Sequence, residues 1–395
     1  MIVYCALWLP ALWLLAVLTK LRRRPRAPGD WRLLWAGAPL PSLATASRAL
    51  SAAGHDSASL ATHRTTNTPD GLFDIQLETG AGLPGFRAIA YCTRAILAFA
   101  RELRRRDAVH MFFSGGVLNQ TPLRDWEPKL WKRAGATLIL MPYGSDAFVY
   151  HELPDEVWAE EIKATYPRAP ALDRQIEKRI TRFTELADCV VGAVVHTHTL
   201  PRVDAWPVLW YPPGDLPPAS EPSAANVVRI AHPSNHRRIK GTDQLVEAVE
   251  RLRARGLPVE LDVIEGVDLE ASRARLADAD IVFDQLHMGY AMTAIEGMAM
   301  GRPVLSGINA GPTYAPFHAN SYLGEAPIVA VTPETLEAEL ERLVSDADLR
   351  KRLGRAGRDY VARRHSDAAT VELFREIYAA IADDDVARLA TLYSR

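Results

Sequence analysis

The fold class is indicated most clearly by the stretch Asp280-Ile-Val-Phe-Asp-Gln-Leu-His-Met-Gly-Tyr-Ala-Met-Thr-Ala-Ile-Glu-Gly-Met-Ala-Met-Gly-Arg-Pro-Val-Leu305. Its β-branched and aromatic run at 281–283 predicts a buried strand, and residues 291–300 predict a helix without an internal proline. A Gly-Arg-Pro turn then leads into a second strand. This order is typical of a parallel α/β sheet, in which ligands bind at the carboxyl ends of the strands.

The predicted helix carries one carboxylate, Glu296, among apolar residues. Its N-terminus favours a bound phosphate, because backbone N–H groups and the helix dipole are directed at that point. Glu296 is therefore either a surface glutamate on a core helix or one side of a ligand site. The two interpretations differ in whether the rest of the chain supplies further ligand-binding groups.

The composition is that of an ordinary globular protein of 395 residues, with 48% hydrophobic residues, 24% charged residues and a net charge of −2. This length favours two domains. The absence of a basic excess argues against a nucleic-acid-binding protein. Cys5, Cys92 and Cys189 show no metal-ligand spacing, so we expect no disulfide framework and a reducing compartment.

The N-terminal segment is unusual, because residues 1–19 carry no charge. A helix of this length nearly spans a hydrocarbon core of ~30 Å. The basic residues come after the apolar run, the reverse of a secretory signal, and the positive-inside rule places them in the cytoplasm: Lys20, Arg22, Arg23, Arg24 and Arg26. We predict a membrane anchor over 1–28, single-pass or membrane-associated, at the cytoplasmic face of the cell membrane. A buried core helix, a monotopic anchor and a misassigned start codon are the alternatives.

The α/β pattern occurs in two halves, separated by a Pro-, Ser- and Ala-rich segment at 216–226 that we interpret as a linker. We predict an N-terminal domain over 29–215 and a C-terminal domain over 227–395, whose last helix could pack back on the N-terminal domain. Ser42 is predicted to cap a helix over 43–53. Further strands are predicted at 31–36, 57–60, 108–113, 136–141, 188–191, 227–231, 259–264 and 328–331.

Glycine-containing loops follow three strands of the N-terminal half, and the second and third of these loops are polar. They contain Gly37, the run Ser114-Gly-Gly116 and the run Gly144-Ser-Asp146. In an α/β fold the carboxyl ends of parallel strands meet at one edge of the sheet. These loops are therefore expected to line a site.

A basic loop at 232–242 follows the first strand of the C-terminal half and places Arg237, Arg238 and Lys240 before a helix. Three cations at a helix N-terminus favour an anion, and a guanidinium can bind phosphate through two hydrogen bonds. No Walker-type sequence follows, which argues against a P-loop NTPase. We interpret the loop as a diphosphate site, with a solvated basic turn as the alternative. Glu296 then suits the diol of a ribose, since a carboxylate accepts two hydroxyl hydrogen bonds.

The sequence shows neither a Cys/His cluster nor a paired-Asp motif, so no metal site is predicted. Positive charge from arginine and lysine would replace a metal in stabilising a leaving diphosphate. We accordingly expect no cofactor beyond a donor substrate.

Four motifs carry a resemblance to a known family: His232-Pro-Ser-Asn-His-Arg-Arg-Ile-Lys-Gly-Thr242, Met288-Gly-Tyr-Ala-Met-Thr-Ala-Ile-Glu-Gly-Met-Ala-Met-Gly-Arg-Pro-Val304, Leu353-Gly-Arg-Ala-Gly-Arg-Asp-Tyr-Val361 and Gly144-Ser-Asp146. With them the chain resembles the GT-B glycosyltransferases, and within those the retaining enzymes of glycosyltransferase family 4. The resemblance spans nearly all of residues 30–385. It implies two Rossmann-like domains with parallel sheets facing a central cleft, the donor held by the C-terminal domain and the acceptor by the N-terminal domain.

The resemblance also implies roles for individual residues. Arg237 or Arg238 and Lys240 would bind the diphosphate, Glu296 would bind the ribose, and Gly289 would let the backbone approach the donor. We therefore predict a catalytic group of Glu296, Lys240 and Arg237. The predicted substrate-binding residues are Arg238, Gly289, Met288, His287, Asp284, Gly144, Asp146 and Gly37.

The sequence departs from the family pattern at the sugar end of the donor. Met288 stands where the family has a glutamate that touches the donor sugar, and Tyr143 stands where a histidine is frequent. The family's Gly-Phe-Gly is Gly289-Tyr-Ala291 here. A thioether accepts hydrogen bonds only weakly, so His287 or Asp284 would have to supply the sugar contact.

These features together predict a metal-independent, hexosyltransferase-type enzyme that moves a sugar, with retention, from a nucleotide-diphosphate sugar to a glycan or lipid-linked acceptor of the cell envelope, as in polysaccharide biosynthesis. The alternatives are a nucleotide-sugar epimerase on the GT-B scaffold and a non-catalytic GT-B binding protein, the latter motivated by Met288.

Overall fold

The computed structural model describes residues 1–65, 69, 71–77, 85–153, 156–196, 198–214, 216–217, 227–308, 311 and 313–393. Apart from residues 216 and 217, the predicted linker 216–226 lies outside these ranges.

The N-terminal domain is built on a parallel six-stranded sheet in the order β3-β2-β1-β4-β5-β6. Its strands are β1 (Leu33–Gly37), β2 (Ser57–Ala61), β3 (Ile75–Gln76), β4 (Ala108–Phe112), β5 (Thr137–Met141) and β6 (Cys189–Val190). The helices that precede and cover the sheet are α1 (Ile2–Ala6), α2 (Leu9–Arg22), α3 (Pro41–Ala52), α4 (Gly85–Arg105), α5 (Glu127–Arg133), α6 (Glu156–Thr165) and α7 (Asp173–Leu186).

The C-terminal domain has a parallel five-stranded sheet in the order β11-β10-β9-β7-β8. Its strands are β7 (Val228–Pro233), β8 (Val259–Ile264), β9 (Ile281–Phe283), β10 (Val304–Ser306) and β11 (Val329–Ala330). Its helices are α8 (Arg237–Lys240), α9 (Thr242–Ala254), α10 (Leu269–Ala277), α11 (Met292–Ala299), α12 (Ala315–Asn320), α13 (Leu336–Ser345), α14 (Ala347–Arg364) and α15 (Asp367–Ala382).

The predicted strands occur with shifts of a few residues at their ends, and the strand, loop and helix of the opening stretch occur as β9, residues 284–291 and α11. The prediction that Ser42 caps the first domain helix is wrong. Helix α3 begins two residues earlier than predicted, at Pro41, and Leu40 is its N-cap without a side-chain hydrogen bond. Proline suits this first position because its missing N–H would have had no intrahelical acceptor.

The N-terminal helices α1 and α2 lie on the domain and pack against α4 and α5. Cys5, Leu12 and Ala16 are fully buried in the same core as the sheet. The hydroxyls of Tyr4 and Thr93 form a hydrogen bond of 2.6 Å. Taken together, Ile2–Arg22 has a mean hydropathy of 2.1 and is long and apolar enough to cross a membrane, which by itself is weak evidence because a core helix has the same properties.

The last long helix, α15, returns to the N-terminal domain and packs against α3. Phe374 and Tyr378 are buried beside Trp35, whose ring stacks on His110 at a centroid distance of 3.8 Å. The Tyr378 hydroxyl and His110 Nε2 form a hydrogen bond of 2.9 Å. The segment from α14 to α15 thus connects the two domains a second time.

Candidate functional site

The predicted N-terminal site residues brace the loops in which they lie. The two carboxylate oxygens of Asp146 accept hydrogen bonds from the backbone N–H groups of Tyr143 at 2.9 Å and Ser114 at 3.0 Å, so Asp146 joins the loops after β4 and β5. Burial raises the pKa of Asp146 to about 7, opposed by these hydrogen bonds. The carbonyl of Gly144 accepts a hydrogen bond of 2.7 Å from His196 Nε2. A Cβ on Gly37 would lie 2.7 Å from the Phe112 ring.

The Ser114-Gly-Gly116 loop is filled by a carboxylate that the sequence patterns did not single out. Glu127, at the start of α5, is fully buried and accepts hydrogen bonds from the N–H groups of Gly116, Val117 and Leu118 at 2.8–3.0 Å. Trp131 Nε1 donates to it as well, at 3.3 Å. Burial raises the pKa of Glu127 to about 7 against these donors. A row of N–H groups that could hold an anion is thus occupied by the chain itself.

The corner between β7 and α9 is held by a different kind of contact. Lys240 Nζ donates to the carbonyl of Pro233 at 3.0 Å, and the Lys240 carbonyl accepts from Leu286 N–H at 3.0 Å, which joins this corner to the loop after β9. Gly241 has φ +71° and lies against Leu286, so a side chain there would clash. Helix α9 begins at Thr242 without a side-chain cap. Its N-terminal dipole therefore points out of this corner without a capping oxygen.

The two arginines of the basic loop have carboxylate partners. Arg237 pairs with Asp243 at 2.7 Å and with Glu265 at 3.1 Å, all three being exposed. Arg238 pairs at 2.8 Å with Glu161 on α6 of the N-terminal domain. Of the three predicted cations, Lys240 is the one whose ammonium group bonds to a backbone carbonyl rather than to a carboxylate in the described part of the chain.

Asp284 lies at the end of β9 and is fully buried. Its Oδ2 accepts from Ala291 N–H at 3.0 Å and from the Ser306 hydroxyl at 2.9 Å, while its Oδ1 has no hydrogen-bond partner among the described residues. Burial raises the pKa of Asp284, and the positive charge of Lys240 opposes that rise. Burial lowers the pKa of Lys240, opposed by the charges of Asp284 and Glu296. The ammonium of Lys240 thus interacts electrostatically with two carboxylates at the carboxyl edge of the sheet.

Glu296 is buried on α11 in a network that spacing alone did not indicate. Its Oε1 accepts from the Tyr211 hydroxyl at 2.8 Å and from Arg273 Nη2 at 2.7 Å. Arg273, on α10, also donates to the Tyr211 hydroxyl at 2.8 Å and to the carbonyl of Pro213 at 3.1 Å. The network joins the end of the N-terminal half to two helices of the C-terminal domain. The hydrogen bonds to Glu296 from described residues all end on Oε1.

Met288 lies where the two domains touch. It packs against an apolar cluster to which both domains contribute: Phe148, Tyr150, Trp158, Ile162 and Ile239. It has φ +63°, and Gln285 Nε2 donates to its carbonyl. His287 precedes it in the same half-buried loop. Gly289 rests against Ser306 and Gly307 so closely that a Cβ would clash, which explains why this position takes glycine.

Within the described residues, no group of three or more His, Cys, Asp or Glu side chains could hold a metal ion.

No protein-family model and no curated protein sequence matches the chain. Several solved structures are similar to the chain. The catalytic domain of starch synthase IV from Arabidopsis thaliana bound to ADP and acarbose is 11% identical, with a TM-score of 0.52 over 90% of this chain and 100% of that one. Two further similar structures are a Listeria monocytogenes protein named as a UDP-N-acetylglucosamine 2-epimerase (14% identical, TM-score 0.49, covering 90% and 96%) and MurG from Acinetobacter baumannii (14%, 0.42, 88% and 98%).

The chain has the GT-B fold. The two parallel-sheet domains and the apolar N-terminal helix of the predicted architecture are confirmed. The assignment to glycosyltransferase family 4 stays a prediction.

Proposed function

We propose that this GT-B protein is a glycosyltransferase that takes a sugar from a nucleotide-diphosphate sugar and transfers it, with retention, to a glycan or lipid-linked acceptor. The observation that supports the proposal is Lys240, which precedes the uncapped start of α9 and interacts electrostatically with the buried carboxylates of Asp284 and Glu296. A cation beside a helix N-terminus binds the diphosphate, and the neighbouring carboxylates accept hydrogen bonds from sugar hydroxyls.

Each side chain of the corner has a part in this proposal. Lys240 neutralises the diphosphate as it leaves, which stabilises the negative charge that develops in the transition state. Glu296 is held in place by Tyr211 and Arg273 through Oε1, and its Oε2 accepts from the ribose. Asp284 offers Oδ1 to the donor sugar, a contact that Met288 cannot make, once the loop after β9 that buries this oxygen moves aside. Arg237 and Arg238 reach the diphosphate by exchanging their present carboxylate partners for it.

The test is to bind and turn over a panel of UDP-, GDP- and ADP-sugars with the full chain. Lys240→Ala should lower affinity or turnover by about 10²–10³-fold, the usual effect of losing one charged donor to a developing oxyanion. Lys178→Ala, which removes an exposed lysine on α7, is the matched control and should have no effect. If no nucleotide-sugar binds, or if Lys240→Ala behaves like Lys178→Ala, the proposal is wrong.

A second candidate is a non-catalytic protein that binds a sugar nucleotide, and Met288 favours it. Its thioether is packed into the apolar cluster between the domains, where the related enzymes would place a sugar-binding glutamate. Binding of a nucleotide-sugar without hydrolysis or transfer to any offered acceptor would select this candidate. Release of a free or transferred sugar would eliminate it.

We further propose that the enzyme works without a metal ion at the cytoplasmic face of the cell membrane and that its acceptor is displayed there. The apolar N-terminal helix and the arginines behind it support this placement. Turnover that is unchanged by chelation would support the first part, and recovery of the full chain in the membrane fraction of cells would support the second.

A further inference from the structure

The N-terminal helix, defined as α1 and α2 together (Ile2–Arg22), is apolar on both of its faces. The inner face supplies Cys5, Leu12 and Ala16 to the core. The outer face is equally apolar but open, with Ile2 74%, Val3 76% and Leu21 77% exposed. A helix of a water-exposed surface would carry polar residues there. Residues 1–19 contain no charged side chain.

Neighbouring elements extend this open apolar surface. Ile89 and Leu97 on α4 lie one turn either side of Thr93, which bonds to Tyr4, so they share the face of α4 that borders α1. Trp126 forms a shallow apolar groove with Leu9, Pro10, Trp13, Leu14 and Val17 on the other flank of the helix. Contiguous exposed apolar patches of this kind mark interaction sites.

A basic crevice lies where the helix ends. It has a volume of about 480 Å³, and its lining combines Leu15, Leu18 and Thr19 of α2 with six arginines: Arg22, Arg23, Arg24, Arg26, Arg32 and Arg104. No carboxylate lines the crevice. Asp107, which lies beneath it, pairs with Arg23 and Arg32 at 2.8 Å and with Arg26 at 3.6 Å. Arg22, Arg24 and Arg104 have no carboxylate partner among the described residues, so the crevice carries an excess of positive charge.

We propose that this face of the N-terminal domain docks onto an anionic phospholipid bilayer, with the N-terminal helix lying in the plane of the interface and the arginine crevice binding lipid phosphates. An apolar face beside a cluster of cations is the arrangement that lets a helix bury its side chains at the acyl boundary while its arginines reach the headgroups. This proposal rests on the membrane placement proposed above and specifies it, whereas it is independent of the nucleotide-sugar corner and of the proposed reaction.

The contacts of the helix favour an in-plane position over a spanning one. A helix that crosses a bilayer would have to withdraw Cys5, Leu12 and Ala16 from the core and break the bond between Tyr4 and Thr93. Arg23 fixes its end, donating to the carbonyls of Ala134 at 3.0 Å and Arg106 at 2.7 Å. The charge beside the apolar face favours anionic lipid over a second copy of the chain, since two such crevices would repel each other.

The first experiment is flotation of the full chain with vesicles of phosphatidylcholine alone and of a mixture with phosphatidylglycerol. Binding to the mixture should be at least about tenfold tighter, and Arg22→Gln with Arg24→Gln should remove most of that difference. Lys351→Gln with Arg355→Gln, an exposed basic pair on α14, is the matched control. Equal binding to both vesicles, or equal effects of the two pairs of substitutions, would overturn the proposal.

Substitution of the apolar face provides a second arm. Leu7→Gln with Leu14→Gln should weaken binding to both kinds of vesicle about tenfold or more, because both side chains are open to solvent and would enter the acyl boundary. Leu172→Gln, at an exposed leucine elsewhere on the domain, should change nothing. The proposal would be overturned if the chain did not bind vesicles but self-associated through Leu14, because this face would then be an interface between copies.

Depth measurements separate in-plane from spanning placement. Fluorophores on Ile2→Cys and Leu21→Cys are quenched with lipids that carry quenchers at known depths, and Cys5, Cys92 and Cys189 are buried and shielded from labelling. In-plane docking predicts that both labels lie in the same leaflet, about 5–10 Å below the headgroups. A label at Ile2 in the opposite leaflet would show a spanning helix and overturn the proposal.

Discussion

The carboxyl edges of the two parallel sheets have the same arrangement of strands and loops but differ in what the polar groups of those loops bind. At the N-terminal edge, Glu127 and Asp146 accept the loop N–H groups, so the loops hold themselves. At the C-terminal edge, Asp284 keeps an oxygen without a partner, and Lys240 donates to a backbone carbonyl, within the part of the chain that the structure describes. The same fold position can therefore be closed by the chain's own carboxylates or left able to bind a ligand. This difference supports our proposal that the diphosphate binds at the C-terminal edge.

Glu127→Ala should have the largest effect on the N-terminal edge. It leaves three buried N–H groups without an acceptor, and since hydrogen bonds to a charged group contribute about 1.5–3 kcal/mol each, we expect a loss of about 3–5 kcal/mol in the free energy of unfolding. Guanidinium denaturation measures it, with Glu185→Ala on the exposed side of α7 as control and Glu127→Gln as a milder variant. Nucleotide-sugar affinity of the folded Gln variant should stay unchanged. An affinity loss like that of Lys240→Ala would mean that both edges bind ligand.

Arg273→Met tests the C-terminal edge and should cause the second-largest loss of stability. It leaves the carboxylate of Glu296 buried without its cation, which should cost about 3 kcal/mol in stability. Glu296→Gln should cost less, and the double variant should lose less than the two single losses combined because the partners interact directly. A double-mutant cycle in denaturant checks this. Strictly additive losses would show that Glu296 is positioned by other groups.

Stability against pH distinguishes the wild type from Glu127→Gln. Burial raises the pKa of Glu127 to about 7 in the folded state. The usual value for an unfolded chain is about 4.3. The folded state therefore binds more protons between these values, and this carboxyl makes the protein less stable as pH rises from about 5 to 7. Relative to Glu127→Gln, the wild type should lose roughly 2 kcal/mol over that range. A constant difference between the two proteins would contradict the raised pKa.

Met288→Glu should have the smallest effect. It places a carboxylate against Phe148, Trp158 and Ile239, so we expect a loss of about 1–2 kcal/mol in stability. Met288→Leu keeps the apolar contact and should be nearly neutral. Turnover of the donor should not rise, because the cluster rather than the sugar fixes this side chain. A gain in turnover would show that the position belongs to the sugar site after all.

The architecture followed from the sequence because apolar runs, glycine loops and helix periodicity are local signals. β9 and α11 appear where the opening stretch predicts them. The contacts of the charged residues were harder to predict from the sequence. Arg238 meets Glu161 across 77 positions and Arg273 meets Glu296 across 23, so neither pair leaves a local pattern. The carboxylate of Glu127 could have been suspected from its place at a helix start just after a Gly-Gly loop. At Ser42 a local signal was misleading. Serine is a common capping residue, but the helix begins at the neighbouring Pro41.

The return of α15 to α3 has a mechanical consequence. The chain passes from one domain to the other twice, once between β6 and β7 and again between α14 and α15. Two covalent crossings define an axis, whereas a single one would permit free swivelling. If the domains rotate about that axis, Arg238 and Glu161 separate, since these paired side chains lie on different domains.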